Sequence, residues 1–401
     1  MVAETTLAQS DPKRRLVTIR RITRITPIRG SRHNIVTISG WNVVARRAEG
    51  FYENQLVVYF EIDSFLPNDS DFWEYCIASP TKFHDGSIGF LVKTTMIDRH
   101  LSQGLVFSMD TFPAITTAFD DLRSKYKHDE NTAVQELLSI SFEDILGVRK
   151  WSVPEESTDP DAPGRSFSPP PVFFPQPGCR RAQNISTLFE RHGQGQFQIT
   201  EKLDGLPMSV YIVQKSSQWY SGLPYLPGSH TQCVGPARVG VCSAKEDLPA
   251  DEKYVSPSSP SVWFWRTAKQ QGILNRISQA GKNVVVQGEL CGSSILRNSM
   301  GFAEGEYHFY IFNIYNIDKQ RYLPLDQTLR ICKDLGWDHV PVISRSSKLC
   351  DFAKDVEDLL GKAEGIGMKG REREGLVFKE LYTDFSFKAI SNTWLLETGK
   401  K

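Results

Sequence analysis

Gln196–Phe197–Gln198–Ile199–Thr200–Glu201–Lys202–Leu203–Asp204–Gly205 reads as a strand running into a turn, and Met208–Ser209–Val210–Tyr211–Ile212–Val213 continues as a second strand. Alternation in the first stretch and β-branched and aromatic residues in the second predict two strands joined through Lys202-x-Asp204-Gly205. That pattern arises by chance in roughly one chain of this length in ten, so alone it fits a plain hairpin turn as well as a reactive lysine. Three more segments follow it in order. Val284–Val285–Val286–Gln287–Gly288–Glu289–Leu290 reads as a buried strand, and Phe309–Tyr310–Ile311–Phe312–Asn313–Ile314 as another. Glu374–Gly375–Leu376–Val377–Phe378–Lys379 then precedes Phe387–Lys388–Ala389–Ile390–Ser391. Each alone is ordinary core with a stray charge, but the ordered set points to a site.

Working outward, Trp263 to Ala280 has helical periodicity, so residues 180–401 alternate helix and strand. The expected class is α+β, with antiparallel sheets flanked by helices. Upstream, Trp151 to Gly178 holds eight prolines in 28 residues, a density that excludes a helix or a central strand. Its pair Phe173–Phe174 is expected to dock on a neighbouring domain. Ahead of that segment, Leu16–Ile19, Ile35–Ile38, Trp41–Val44 and Leu56–Phe60 are short strand-like runs punctuated by Gly30, Gly40 and Gly50. They predict a small OB-like β-barrel, followed by helix from Pro113 to Lys150. The expected domains are a tail over 1–12, a barrel plus helical segment over 13–150, a Pro-rich linker over 151–179 and a second domain over 180–401.

Composition narrows the function. The 401 residues are 40% hydrophobic and 23% charged, enough for sizeable cores. Lys plus Arg (47) equals Asp plus Glu (47), so any nucleic-acid contact must come from a local basic face. Such a face exists: from Lys13 through Arg47 there are ten Lys and Arg and no acid. Arg20, Arg21, Arg24, Arg29 and Arg32 interleave with Ile and Thr, as on a strand with one solvated side. The charges either discourage edge pairing or track a nucleic-acid backbone, and the second reading is carried forward. No apolar run reaches membrane-helix length and residues 1–12 lack an apolar signal core, so the expected place is intracellular, cytoplasm or nucleus. Seven cysteines without a C-x-x-C pair suit a reducing compartment. Histidines without an H-x-x-x-H pair point away from zinc and toward a hard cation on oxygen ligands.

The ordered lysine and glutamate motifs resemble those of the covalent nucleotidyltransferases, the polynucleotide ligases and mRNA capping enzymes. The chain is most similar to the ATP-dependent RNA ligases of the Deinococcus type, which carry an OB domain ahead of the ligase domain. Val58–Tyr59–Phe60–Glu61–Ile62–Asp63–Ser64–Phe65–Leu66–Pro67, Ser102–Gln103–Gly104–Leu105–Val106 and Ala182–Gln183–Asn184 share in that resemblance. It implies an ATP-grasp-like adenylyltransferase domain and an enzyme using ATP with Mg²⁺ or Mn²⁺. The implied substrate is RNA with 3′-OH and 5′-phosphate ends, in a nicked duplex or RNA–DNA hybrid, with the enzyme a monomer.

The resemblance also implies roles. Lys202 would be the nucleophile forming lysyl-AMP, which splits one difficult displacement into easier ones. Its amine must be neutral to attack, and burial with nearby cations is expected to favour that form. Lys388 and Lys379 would meet the α-phosphate. Glu374 and Glu289 would hold the metal, Glu374 directly or through water, with Glu289 also where the family contacts the ribose. Phe312 is chosen to stack on adenine, with Phe309 and Tyr310 as competitors because strand alternation leaves the facing side open. The Glu201 backbone would read the adenine edge, and Asp204 and Gly205 would fix the loop that presents the lysine.

Three positions depart from the family pattern. Ile390 stands where a second lysine is common, Ala244 where an arginine is usual with Lys245 beside it, and Asn313 where an aspartate is common. Only 13 residues follow Lys388, which favours RNA ligation over DNA ligases and capping guanylyltransferases, whose OB domain comes last. Those enzymes, and an RNA-end-binding protein that no longer seals, are the alternatives.

Overall fold

The computed structural model describes residues 14–68, 72, 80–127, 129–151, 168–224, 232–251, 255, 259–279 and 282–399. The expected tail over 1–12 and most of the Pro-rich segment lie outside these residues. The chain forms two compact units, Met1–Pro154 with Gly399–Lys401, and Glu155–Thr398.

In the first unit, β1 (Val17–Arg21), β2 (Arg24–Pro27), β3 (His33–Ile38), β4 (Trp41–Arg46) and β5 (Leu56–Phe60) fall on the runs read from the sequence. After them come β6 (Ser64–Pro67), β7 (Thr81–Lys82), β8 (Ile88–Leu91), β9 (Thr94–Ile97), β10 (His100–Gln103), β11 (Leu105–Ser108) and β12 (Arg149–Lys150). The central strand is β5, paired antiparallel with both β1 and β11. Alternation gives it two apolar faces. Val58 and Phe60 join a core with the helices Pro113–Lys125 and Glu130–Ser139, while Val57 and Tyr59 join Val36, Trp41 and Val43 beneath the β2-β3-β4 sheet. The helical expectation for 113–150 is corrected at its end. Arg149 and Lys150 return as a strand on β6, because Gly147 (φ 64) turns the chain and Val148 is buried.

The second unit is built on two sheets. One runs β13 (Arg180–Arg181), β24 (Ser386–Ile390), β23 (Gly375–Glu380), β14 (Gln196–Lys202), β22 (Val342–Lys348). The other runs β16 (Gln232–Val234), β17 (Ala237–Cys242), β15 (Leu206–Gln214), β19 (Val284–Gly292), β20 (Tyr307–Asn316), β21 (Arg321–Tyr322), with β18 (Asp247–Leu248) on β17. Phe197, Ile199, Leu376, Phe378, Phe387 and Ala389 point from the first sheet into a core with the helix Val356–Ala363. Met208, Val210, Val286 and Phe309 point from the second into a core with the helix Val262–Gln270. The long helix expected over 263–280 is two, Val262–Gln270 and Ile273–Gln279, broken where Gly272 takes φ 67. Ala280 lies outside the described residues. Phe173 and Phe174 of the Pro-rich segment are buried with Tyr211, Val213 and Tyr315, on the remaining face of the second sheet.

Candidate active site

Alternation on the first sheet lays the charged residues on one side. Phe197 and Ile199 face the core, so Gln198, Thr200 and Lys202 face away from it; Lys379 and Lys388 alternate with Phe378 and Phe387 in the same way. Lys202 ends β14 opposite Gly375 on β23, which places Glu374, one residue earlier, beside the lysine. The Lys202 Nζ donates to Glu374 Oε2 at 2.7 Å. Gly205 follows because the loop passes against β19: a Cβ there would lie 2.4 Å from the Leu290 carbonyl oxygen. Ser299 Oγ donates to the buried Asp204 carboxylate and fixes the far side of the loop.

The second sheet meets this face. Lys379 Nζ donates to the Phe312 carbonyl at 2.9 Å and to Asn313 Oδ1 at 2.6 Å, and lies 5.1 Å from the Phe312 ring centroid. Alternation puts Phe309 and Ile311 on one face of β20 and Tyr310 and Phe312 together on the other, and a bulge follows. Gln287 pairs with Asn313 but Gly288 pairs with Ile311, so Phe312 is the extra residue of β20. Phe309 and Ile311 are buried in the core behind the sheet, while Phe312 is half-buried beside Tyr310 and Leu203. Asn313, the departure from the family aspartate, is the partner of Lys379.

Burial and charge compete at each ionisable group. Burial disfavours charge on Lys202, but the Glu374 and Glu289 carboxylates outweigh it and hold the amine above the ordinary lysine pKa. The expectation of a neutral amine is therefore corrected for the unliganded protein: the nearest charges are carboxylates, which favour the ammonium. Burial pushes Lys379 down to about 8. It also lowers Lys388, helped by repulsion from Lys202. Glu289 is pushed up to about 7 by burial, against the attraction of Lys202 and with repulsion from Glu374 and Asp204 adding to it. Lys202, Lys388, Glu289, Glu374 and Asp204 thus share one electrostatic neighbourhood.

Other expected residues sit differently. The backbone N–H of Glu201 donates to the Pro341 carbonyl, while its carboxylate accepts from Met368 N–H and has its pKa raised by burial. Ile390 is buried two residues beyond Lys388, and Ala244 and Lys245 are exposed on the turn after β17. Arg20 is corrected as part of a solvated cationic face. It is 8% exposed, donates to Thr18 Oγ1 and pairs with Glu61 Oε1 at 3.4 Å. Glu61 lies outside the acid-free window, and the fold brings it back against that arginine. Arg21, Arg24, Arg29 and Arg32 are exposed. The sequence reading missed Cys179, whose thiol pKa is raised by burial against the opposing charges of Lys388, Lys202 and Lys379. It also missed Arg181, whose charge bears on Lys388 from the neighbouring strand. The Arg180–Arg181 pair just ahead of Ala182–Gln183–Asn184 was the available signal.

Among the described residues no group of three or more His, Cys, Asp or Glu is arranged to hold a metal ion. Among the described residues no helix is long and apolar enough to cross a membrane.

Residues 195–390 match the RNA ligase family model and residues 16–109 match an OB-fold domain model. No curated protein matches the chain by sequence. Among solved structures, an apo variant of the Naegleria gruberi RNA ligase is similar at 28% identity and TM-score 0.68, over 97% of this chain and 99% of its own. The same ligase with PPi is similar at 28% and 0.67, over 97% and 100%. A variant with ATP and Mn is similar at 28% and 0.68, over 96% and 100%. The first unit contains an OB-fold region and the second is a mixed α+β domain, the class expected from the sequence.

Proposed function

With an RNA ligase domain behind an N-terminal OB-fold domain, this chain is an enzyme of the RNA ligase family, and from that premise we propose that it seals 3′-OH and 5′-phosphate RNA ends in nicked duplexes with ATP. The observation that carries the reading is Lys202 Nζ at 2.7 Å from Glu374, on a face that also presents Lys379 and Lys388. The Lys202 amine attacks the α-phosphorus of ATP, forming a P–N bond while the α–β P–O bond breaks and pyrophosphate leaves. An oxygen of the RNA 5′-phosphate then attacks the adenylate phosphorus and releases Lys202. Attack by the 3′-OH on the activated 5′-phosphate forms the phosphodiester and expels AMP.

In this scheme Lys388 and Lys379 set positive charge against the α-phosphate oxygens. Burial lowers the pKa of both, and a phosphate anion beside them would favour the charged form that burial disfavours. Phe312, carried out of register by its bulge, offers a ring for the adenine. Asp204 and Gly205 hold the loop so that Lys202 points at phosphorus.

Glu289 and Glu374 are the residues that would hold Mg²⁺ or Mn²⁺. Two neighbouring carboxylates, with no group of three or more His, Cys, Asp or Glu arranged for a metal among the described residues, suit an ion that keeps most of its waters. When bound, it supplies positive charge against the phosphate oxygens and against the ammonium form of Lys202. That bears on Lys202 losing its proton, since the two carboxylates are what hold it protonated in the free enzyme.

The test is incubation with α-labelled ATP and Mg²⁺ or Mn²⁺, then detection of label on the protein. Wild type is expected to take up label and Lys202→Ala to lose it entirely. An undiminished label on Lys202→Ala, or preferential labelling by GTP, overturns the reading. A panel of pre-adenylated 5′ ends, with ribose or deoxyribose at the 3′-OH end, then tests the nick and its template; label without any joining would mean an end-binding protein.

A further inference from the structure

We propose that a concavity between two hairpin turns of the first unit, centred on Arg29, Arg32 and Arg99, holds the phosphodiester backbone of duplex RNA. The inference rests on the ligase reading and names where that substrate is gripped. One wall is the β2–β3 turn, Pro27 to His33, and the other is the β9–β10 turn at Asp98–Arg99. The space between them is about 690 Å³.

Three observations carry it. The first is a division of labour among arginines. Arg14 and Arg20 are taken by Glu61, with Asp63 also on Arg14, and Arg47 braces the turn through the Ile28 and His33 carbonyls. The side chains of Arg29, Arg32 and Arg99 are exposed and have no hydrogen-bond or ion-pair partner among the described residues. The second is the lining charge. Against these guanidiniums and the imidazoles of His33 and His100 stands one carboxylate, Asp98, already accepting from Ser31 Oγ and lying 2.8 Å from His33 Nδ1. Anionic ligands therefore meet uncompensated positive charge.

The third is strain. His100 pairs with Ile97, leaving Asp98 and Arg99 as a two-residue loop with φ of 50° and 64°. Loops of that shape favour glycine at the second position, yet here a bulky arginine is held in the left-handed region. The turn itself gains nothing from that side chain, which an external ligand would explain. An open concavity with dispersed guanidiniums suits successive backbone phosphates better than a single enclosed anion.

The experiment uses the full chain with Arg29→Glu, Arg32→Glu and Arg99→Glu combined. Anisotropy titration of a labelled nicked RNA duplex is repeated from 50 to 200 mM salt, and the ATP concentration needed for self-adenylation is measured beside it. The variant is expected to bind RNA at least about tenfold more weakly, with the slope of log affinity against log salt shallower by about 2 to 3. Lys127→Glu, the same reversal elsewhere on the unit, is expected to keep both near wild type. Unchanged affinity and slope overturn the proposal. So does a higher ATP requirement with intact RNA binding, which would assign the pocket to a free triphosphate. If the triple variant melts early, the three Arg→Gln changes carry the test with a smaller expected loss. A wild type that binds RNA through these arginines but never takes up adenylate would fail the ligase reading and leave the pocket standing.

Discussion

Lys202 sits between a burial penalty and two carboxylates, and the carboxylates win. Glu289 shows the other outcome, a carboxylate raised to about 7 mainly by burial. Because its folded pKa exceeds the unfolded value, its favourable contribution is complete below about pH 4.5 and is lost as pH rises through about 7. Glu289→Gln, which cannot ionise, should therefore raise the melting temperature of chelator-treated protein at pH 8 and change it little at pH 5. Equal shifts at both pH values would mean the raised pKa is not real. Lys202, Glu374 and Lys388 were legible as residues because their motifs are short and ordered. The burial of Arg20 was not legible, since Glu61 is 41 positions away and only folding makes them neighbours. The same holds for Cys179, which only the fold brings near Lys202, Lys379 and Lys388.

Elements decide what the residues can reach. Strand alternation was readable, and it places Lys202, Lys379 and Lys388 opposite the phenylalanines that face the core. The bulge that sets Phe312 apart was not, because register depends on the partner strand β19 rather than on β20 itself. The loop from β14 to β15 depends on a glycine for space. Gly205→Ala should force that loop off β19, cost about 1–3 kcal/mol of stability and reduce self-adenylation by well over tenfold. Gly178→Ala, where nothing lies within 4 Å of the added carbon, should leave both unchanged. Chemical denaturation and label uptake on the two variants check this. Wild-type uptake by Gly205→Ala would show that the lysine does not depend on the close approach.

At the scale of the molecule, net charge is zero, so long-range attraction to RNA must come from one region rather than from the whole. RNA affinity of the wild type is expected to fall steeply between 50 and 200 mM salt, while label uptake from ATP declines far less over the same range, as comparison of the two titrations would show. Parallel losses would instead place both activities on the same charges. The amino-acid sequence alone determined the two-part α+β organisation, the strands that carry the lysines and the ligase motifs, because alternation, proline density and ordered short motifs are local properties of a chain. Tertiary structure decided which arginines remain available, which face Phe312 presents, and that Lys202 rests as an ammonium. Each of those depends on a partner distant in sequence, and electrostatics and packing act through space rather than along the backbone.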